Sequence, residues 1–269
     1  MSNSIIAQYG HGTENDFVIL FDPDDKHELS SHQIAAICSR ENGIGADGFI
    51  RILKNGNQWF MDYHNADGSL AEMCGNGIRV MARYLVERGH MPEGIFAINT
   101  RDGIKHLRVP MVGDISVNMG QVSNEGEEIT AATNSLIWNG YNISIGNPHA
   151  VVFVEDMKDV GALNEPPVVR PRDSYPEGVN VEFVQITGDH ELAMRVYERG
   201  SGETQSCGTG TCAVALAAVL HTKDRLPSTW IINPPGGRLE VSIDAHSNAT
   251  LIGPAVLVRD VDISEFLNA

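Results

Sequence analysis

Two cysteines in this sequence stand in the same local setting. Cys74 opens Cys74-Gly75-Asn76-Gly77, and Cys207 opens Cys207-Gly208-Thr209-Gly210. The first is followed by Ile78, Met81, Tyr84 and Leu85 at helical spacing. The second runs into TCAVALAAVLHTK, apolar almost all round, which predicts a buried helix. Glycines at a helix start let a ligand approach the backbone and leave N–H groups open. The positive end of the helix favours a thiolate and attracts a carboxylate. Two such helix starts directed at one ligand would hold its carboxylate and flank the adjacent carbon with two thiols. One thiolate would remove a proton from one face and the opposite thiol would supply one to the other, inverting the centre. Fixed dipoles and N–H donors would stabilise the carbanion, and exclusion of water would raise the thiolate's basicity.

Other cysteine chemistries fit less well. A thiol–disulfide oxidoreductase pairs its cysteines in CxxC, which is absent. A cysteine hydrolase needs one nucleophile and a histidine base; His149 could serve, but the second cysteine would have no task. A non-catalytic protein using the pair as a disulfide switch is a third reading. Cys38, on a helix face with Ile34 and Ile37, and Cys212, inside the apolar run, read as core. No Rossmann or P-loop glycine pattern follows a strand, no Cys/His group has zinc spacing, and no lysine stands out for a pyridoxal cofactor. The expectation is a mechanism with no cofactor and no metal.

The elements around the two cysteines repeat. Asn15 lies fifty-nine residues before Cys74, and Asn147 sixty before Cys207; each follows a polar turn and starts an apolar strand. Asp47 and Asn180 both lie twenty-seven residues before their cysteine, and Asn65 and Glu198 both nine before. Each half reads as strand, strand, helix, strands, CGxG helix, strands, with early helices expected near 31–40 and 156–164. The polar segment 118–135 reads as a linker. The tail strand, 255–258, is placed back on the first half. The fold class is α/β (α+β): two pseudo-symmetric domains from a duplication, 1–118 with 256–269 carrying Cys74 and 119–255 carrying Cys207. Each is a sheet around a central helix, with the active site expected in a cleft between domains.

The 269 residues are 42% hydrophobic and 20% charged, a globular composition. A net charge of −16 argues against nucleic-acid or anionic-membrane partners. No apolar run reaches a membrane span and the N-terminus has no signal-peptide pattern, so a cytoplasmic protein is expected.

The run Asn65-Ala66-Asp67-Gly68-Ser69-Leu70-Ala71-Glu72-Met73-Cys74-Gly75-Asn76-Gly77-Ile78-Arg79 resembles the signature of the diaminopimelate epimerase family. Gly12–Phe17, Gly146–His149, Gly178–Asn180, Glu198–Gly200 and Gly202–Gly210 accompany it in that family's order. The resemblance implies cofactor-free conversion of LL- to meso-diaminopimelate in lysine and peptidoglycan precursor synthesis, by a homodimer. It implies that Cys74 and Cys207 are the catalytic pair. The reacting carboxylate would sit on Gly75, Asn76, Gly208 and Thr209, and the far end of the substrate on Asn15, Asn65, Asn147, Asn180 and Arg199. Glu198 and His149 would tune the thiols and lie near the reacting amine. The alternative within this chemistry is a two-cysteine racemase for another amino acid, of the histidine type. Gly48 stands where certain relatives have Gln, so that contact is not carried over. Arg79, Glu72 and Glu203 read as structural.

Overall fold

The computed structural model describes residues 4–133 and 136–267. The chain divides into two compact units, Met1–Val117 with Gly253–Ala269, and Asn118–Ile252.

The first unit contains β1 (Ile6–Gly12), β2 (Asn15–Phe21), α1 (Ser31–Cys38), β3 (Gly48–Asn55), β4 (Gln58–Asn65), α2 (Gly75–Glu87), β5 (Gly94–Thr100), β6 (Gly103–Val109) and the start of β7 (Ile115–Gln121). The second has β8 (Ser123–Thr133), β9 (Leu136–Ser144), β10 (Pro148–Phe153), β11 (Val168–Arg170), β12 (Asn180–Gly188), β13 (Glu191–Glu198), β14 (Gly202–Thr204), α3 (Gly208–Thr222), β15 (Ser228–Asn233), β16 (Leu239–Ile243) and β17 (Asn248–Gly253). The chain then returns to the first unit as β18 (Val256–Asp262) and a short α4 (Ser264–Leu267).

The strands repeat in order and sense. In the first unit they run β18-β1-β2-β3-β4-β5-β6-β7, antiparallel except for parallel β2/β3 and β4/β5. In the second they run β8-β9-β10-β12-β13-β15-β16-β17, antiparallel except for parallel β10/β12 and β13/β15. The tail strand β18 thus takes in the first unit the place that β8 takes in the second.

Each sheet wraps one helix. α2 packs against β1, β2, β3, β6 and β18, and α3 against β8, β9, β10, β12, β15 and β16. Enclosure explains why α3 is apolar all round: its residues from Thr211 to Val219 are all buried. The outer face is covered too. In β2, Val18 and Leu20 join Ile34, Ile37 and Cys38 of α1, whereas Phe17 reaches Gly77 of α2. A strand covered on both faces reads as an unbroken apolar run, as FVILF does. α1 begins with a capping box, Ser30 and Gln33 each bonding the other's backbone N–H.

Two local expectations fail. Segment 156–164 holds only a single 3-10 turn, Met157–Val160, whose Val160 is buried in the core between Ile129, Val169 and Phe183. The supposed linker contains β8. Its inward phase, Ile129 and Ala131, is buried, and the exposed Glu125 and Glu128 lie at the bulge between Asn124 and Glu128. Acidic side chains at an irregular, exposed stretch hid a strand whose buried face is only a few residues long.

Candidate active site

Cys74 and Cys207 are the N-cap residues of α2 and α3, with nearly equal backbone angles: φ −132, ψ 122 and φ −121, ψ 119. Each sulfur accepts from the amide three residues on, Gly77 N at 3.5 Å and Gly210 N at 3.4 Å. Sulfur thus takes the place of the usual capping oxygen. The first-turn glycines 75 and 208 leave the other amides of each helix start unshielded by a Cβ.

Around Cys74 the site is built from β1, β2 and the loop after α1. Thr13 and Glu14 take left-handed φ values of 51 and 57, closing a two-residue hairpin that pairs Gly12 with Asn15. Asn15 Oδ1 accepts from Asn76 Nδ2 at 3.1 Å and from the Cys74 thiol at 3.6 Å. Its Nδ2 donates to Asp47 Oδ2 at 2.9 Å. Arg40 holds this corner: its Nη1 and Nη2 each lie 2.8 Å from Asp16, and Nη2 lies 2.7 Å from Asp47. Arg79 is fully buried and donates to Asn76 Oδ1 at 3.0 Å, to Gly75 O at 3.1 Å and to Pro254 O at 3.3 Å. The amide of Asn76 is therefore oriented from below. Asn65, the last residue of β4, is exposed and donates to Ser69 Oγ at 3.0 Å. Its turn closes on Gly68 at φ +82, where a Cβ would lie 2.1 Å from Ser31 O.

Around Cys207 the partners are different in kind. Thr209 Oγ1 lies 3.5 Å from the sulfur, and Asn147 Nδ2 donates to Thr209 Oγ1 at 3.4 Å. His149, with no exposed surface, has Nε2 3.1 Å from Asn147 Oδ1 and Nδ1 2.6 Å from Glu182 Oε1. Glu198 accepts a short hydrogen bond from the Thr204 hydroxyl. Burial raises the Glu198 carboxyl above its ordinary value, against the lowering effect of its bonds to Thr204 and Cys207. Burial, then the charges of Glu198 and Glu182, push the Cys207 thiol well up; Thr209 and the Gly210 amide oppose this and lose. The helix-start argument, which favours a lowered thiol, is thus overridden at Cys207 by desolvation and two carboxylates. Asn180 Oδ1 accepts from Arg199 N at 2.9 Å, and the half-exposed Arg199 guanidinium donates to Glu177 O at 3.4 Å.

The sequence-predicted residues fall into three groups. Asn15, Gly75 and Asn76 surround Cys74. Asn147, His149, Glu198, Gly208 and Thr209 surround Cys207, with Asn180 and Arg199 joined to each other. Asn65 is tied to its own turn. Glu182 was missed. Its signal was a lone carboxylate on the inward phase of the apolar strand Asn180-Val181-Glu182-Phe183-Val184. Among the described residues, no His, Cys, Asp and Glu cluster could hold a metal ion, and no helix is long and apolar enough to cross a membrane.

The family model described as diaminopimelate epimerase matches residues 8–124 and 141–258. The chain is 43% identical to the diaminopimelate epimerase of Streptomyces coelicolor, covering 97% of this chain and 96% of the relative. It is 42% identical to that of Thermobifida fusca, covering 94% and 96%. Among solved structures, a Bacillus anthracis phenazine biosynthesis protein of the PhzF family superposes with a TM-score of 0.75 at 16% identity, covering 97% of this chain and 99% of that one. A hydroxyproline epimerase from Agrobacterium vitis gives 0.71 at 13%, covering 96% and 92%. At such identities these two share the fold. With both halves matched by one family model and near-full-length relatives above 40% identity, the chain belongs to the diaminopimelate epimerase family.

Proposed function

We propose that the protein interconverts LL- and meso-diaminopimelate by a two-base exchange between Cys74 and Cys207, in lysine and peptidoglycan precursor synthesis. The observation that carries this is the duplicated cap, a sulfur on the third amide of each of two helix starts with glycine in the first turn. One sulfur, as thiolate, takes the α-proton; the other, as thiol, gives its proton to the opposite face of the carbanion. After turnover the two sulfurs have exchanged states, so the same pair runs the reverse reaction. Gly75, Asn76, Gly208 and Thr209 offer N–H groups to the reacting carboxylate, where charge builds as the α-proton leaves. Desolvation at Cys207 makes its thiolate, once formed, a stronger base toward a weak carbon acid. Glu198 and His149 adjust that balance and receive the reacting amine. Asn15, Asn65, Asn147, Asn180 and Arg199 hold the distal amino-acid end, with the Arg199 guanidinium suited to its carboxylate.

The test is incubation with LL-diaminopimelate in heavy water, followed by NMR. Deuterium should enter the inverted α-carbon, and Cys74→Ala or Cys207→Ala should stop inversion. Near-wild-type turnover by either variant would refute the two-thiol assignment. The family resemblance also supports a cytoplasmic homodimer; sedimentation equilibrium at micromolar protein reads the assembly, and a single monomeric species would remove that part.

A further inference from the structure

The two units place different chemistry at one equivalent spot. In the first, Phe17 pairs with Gly48 across the parallel β2/β3 ladder, and Ile50 is the third residue of β3. In the second, His149 pairs with Asn180 across the parallel β10/β12 ladder, and Glu182 is the third residue of β12. A Cβ on Gly77 would meet Ile50 and Phe17; one on Gly210 would meet Glu182. So Phe17, Ile50 and Gly77 correspond to His149, Glu182 and Gly210. The fold is satisfied there by an apolar pair. In the Cys207 half it holds a carboxylate and an imidazole, both with no exposed surface. Glu182 Oε2 is buried without a hydrogen-bond partner. A group that is costly to bury, absent from the sister half, is retained for something other than packing.

We propose that Glu182 is a positioning residue of the inversion, acting on Cys207 through His149, Asn147 and Thr209; the proposal rests on Cys207 being one of the two acid/base thiols. Four links make the chain: Glu182 Oε1 to His149 Nδ1 at 2.6 Å, His149 Nε2 to Asn147 Oδ1 at 3.1 Å, Asn147 Nδ2 to Thr209 Oγ1 at 3.4 Å, Thr209 Oγ1 to Cys207 Sγ at 3.5 Å. In the polarity in which Asn147 Oδ1 faces the ring, His149 donates from Nδ1 to Glu182 and from Nε2 to Asn147. Asn147 then donates to Thr209, whose own O–H is left to point at the sulfur. From the imidazole Nε2 onward each donor is directed toward Cys207, a polarity that favours its thiolate. If the ring loses the hydrogen on Nε2, Asn147 turns its NH2 toward it and offers Oδ1 to Thr209. The threonine O–H then points away, and its oxygen can accept from the Cys207 S–H. That polarity favours the thiol. Glu182 fixes which polarity holds before substrate arrives. The charged groups around the chain are Glu182 on β12, Glu198 on β13 and His149 on β10, with Cys207 at the start of α3.

Glu182→Gln, nearly isosteric beside Gly210, tests this in the full-length protein. Iodoacetamide labelling against pH, with each cysteine read by mass spectrometry, should show Cys207 reacting about tenfold more slowly at neutral pH and Cys74 unchanged. Nitrogen NMR of His149 should show a different ring-nitrogen hydrogen-bonding pattern in the variant from that in the wild type. The kcat for diaminopimelate should fall about tenfold with KM within about twofold, and Glu182→Asp should restore part of the labelling profile. If Glu182→Gln does not fold, Thr209→Val breaks the last link and should give the same shift in Cys207 labelling, with Thr209→Ser restoring it. A wild-type labelling profile in the folded Gln variant, or in Thr209→Val where Gln fails to fold, overturns the proposal. Inversion by Cys207→Ala would instead overturn the two-thiol reading beneath it.

Discussion

Alanine at Gly210 and at Gly77 should have opposite consequences, although both glycines are the third residue of a helix that begins at a cysteine cap. At Gly77 an added Cβ would lie 3.0 Å from Ile50 Cδ1, 3.0 Å from Met61 Cε and 3.3 Å from Phe17 Cε1. Two of these are the ends of flexible side chains that can give by a few tenths of an ångström. Replacing a helical glycine by alanine stabilises by up to about 1 kcal/mol, so Gly77→Ala should stay within about 1 kcal/mol of wild type. At Gly210 the added carbon would lie 2.6 Å from Glu182 Oε1, with Glu182 Cδ and Cys207 Cβ at 3.3 Å. Glu182 is fully buried, and its carboxylate is already bonded to His149. Overpacking of that kind costs about 1–3 kcal/mol, which matches or exceeds the helix gain, for a net loss of up to about 2 kcal/mol. Activity should fall as well, because Glu182 is displaced from His149. Urea unfolding with unchanged slope measures the first effect and deuterium exchange at the substrate α-carbon the second. If Gly210→Ala proves as stable and as active as Gly77→Ala, the packing described around Glu182 is wrong.

Arg199→Met should raise KM for diaminopimelate about 10- to 100-fold with a smaller change in kcat, the cost of a charge-assisted clamp; steady-state kinetics reads it, and an unchanged KM removes Arg199 from the distal end. Glu198 is raised above its ordinary value of 4.5 by burial, so its contribution to stability is present below 4.5 and lost as pH rises through the raised value. Glu198→Gln should therefore unfold at a higher temperature than wild type at neutral pH, with the gap closing in acid. Asp62 behaves oppositely: burial raises it, but bonds from His64, Arg101 and Arg51 outweigh that and hold it far below 3.8. Its contribution is present above 3.8 and lost as pH falls, so Asp62→Asn should lower the neutral-pH melting temperature and flatten the acid limb of the curve. Ser30→Ala removes the capping box of α1 and should cost about 1 kcal/mol, measured by the same unfolding assay.

What was legible in the sequence was what short-range patterning governs. The spacing of Ile34, Ile37 and Cys38 marks the buried face of α1, and the all-apolar stretch after Gly210 marks an enclosed helix. The matched offsets of Asn65 and Glu198 from their cysteines correspond to the last residues of β4 and β13. What was not legible depends on partners distant in sequence. Segment 156–164 resembles a helix in composition, but one 3-10 turn suffices to bury Val160. β8 is written largely in polar residues because its buried phase is short: Ile129 and Ala131, then Thr133, whose hydroxyl donates to Val160 O. The helix-start rule describes Cys207 in isolation, and only the packing of β12 and β13 beside it reveals the carboxylates that reverse the sign. Glu182 stands out locally as the lone charge of an apolar strand, but no local rule says which phase of that strand lies under a helix.

The crossing of β18 back to β1 has a consequence for synthesis. Residues 118–252 form one uninterrupted stretch, and the ladders from β8 through β17 pair residues within it. The sheet around α2 is short of an edge partner until residues 256–262 have left the ribosome, some 240 positions after β1. The earlier-made half is therefore the later one to close, and meanwhile β1 presents an unsatisfied backbone edge to any passing strand.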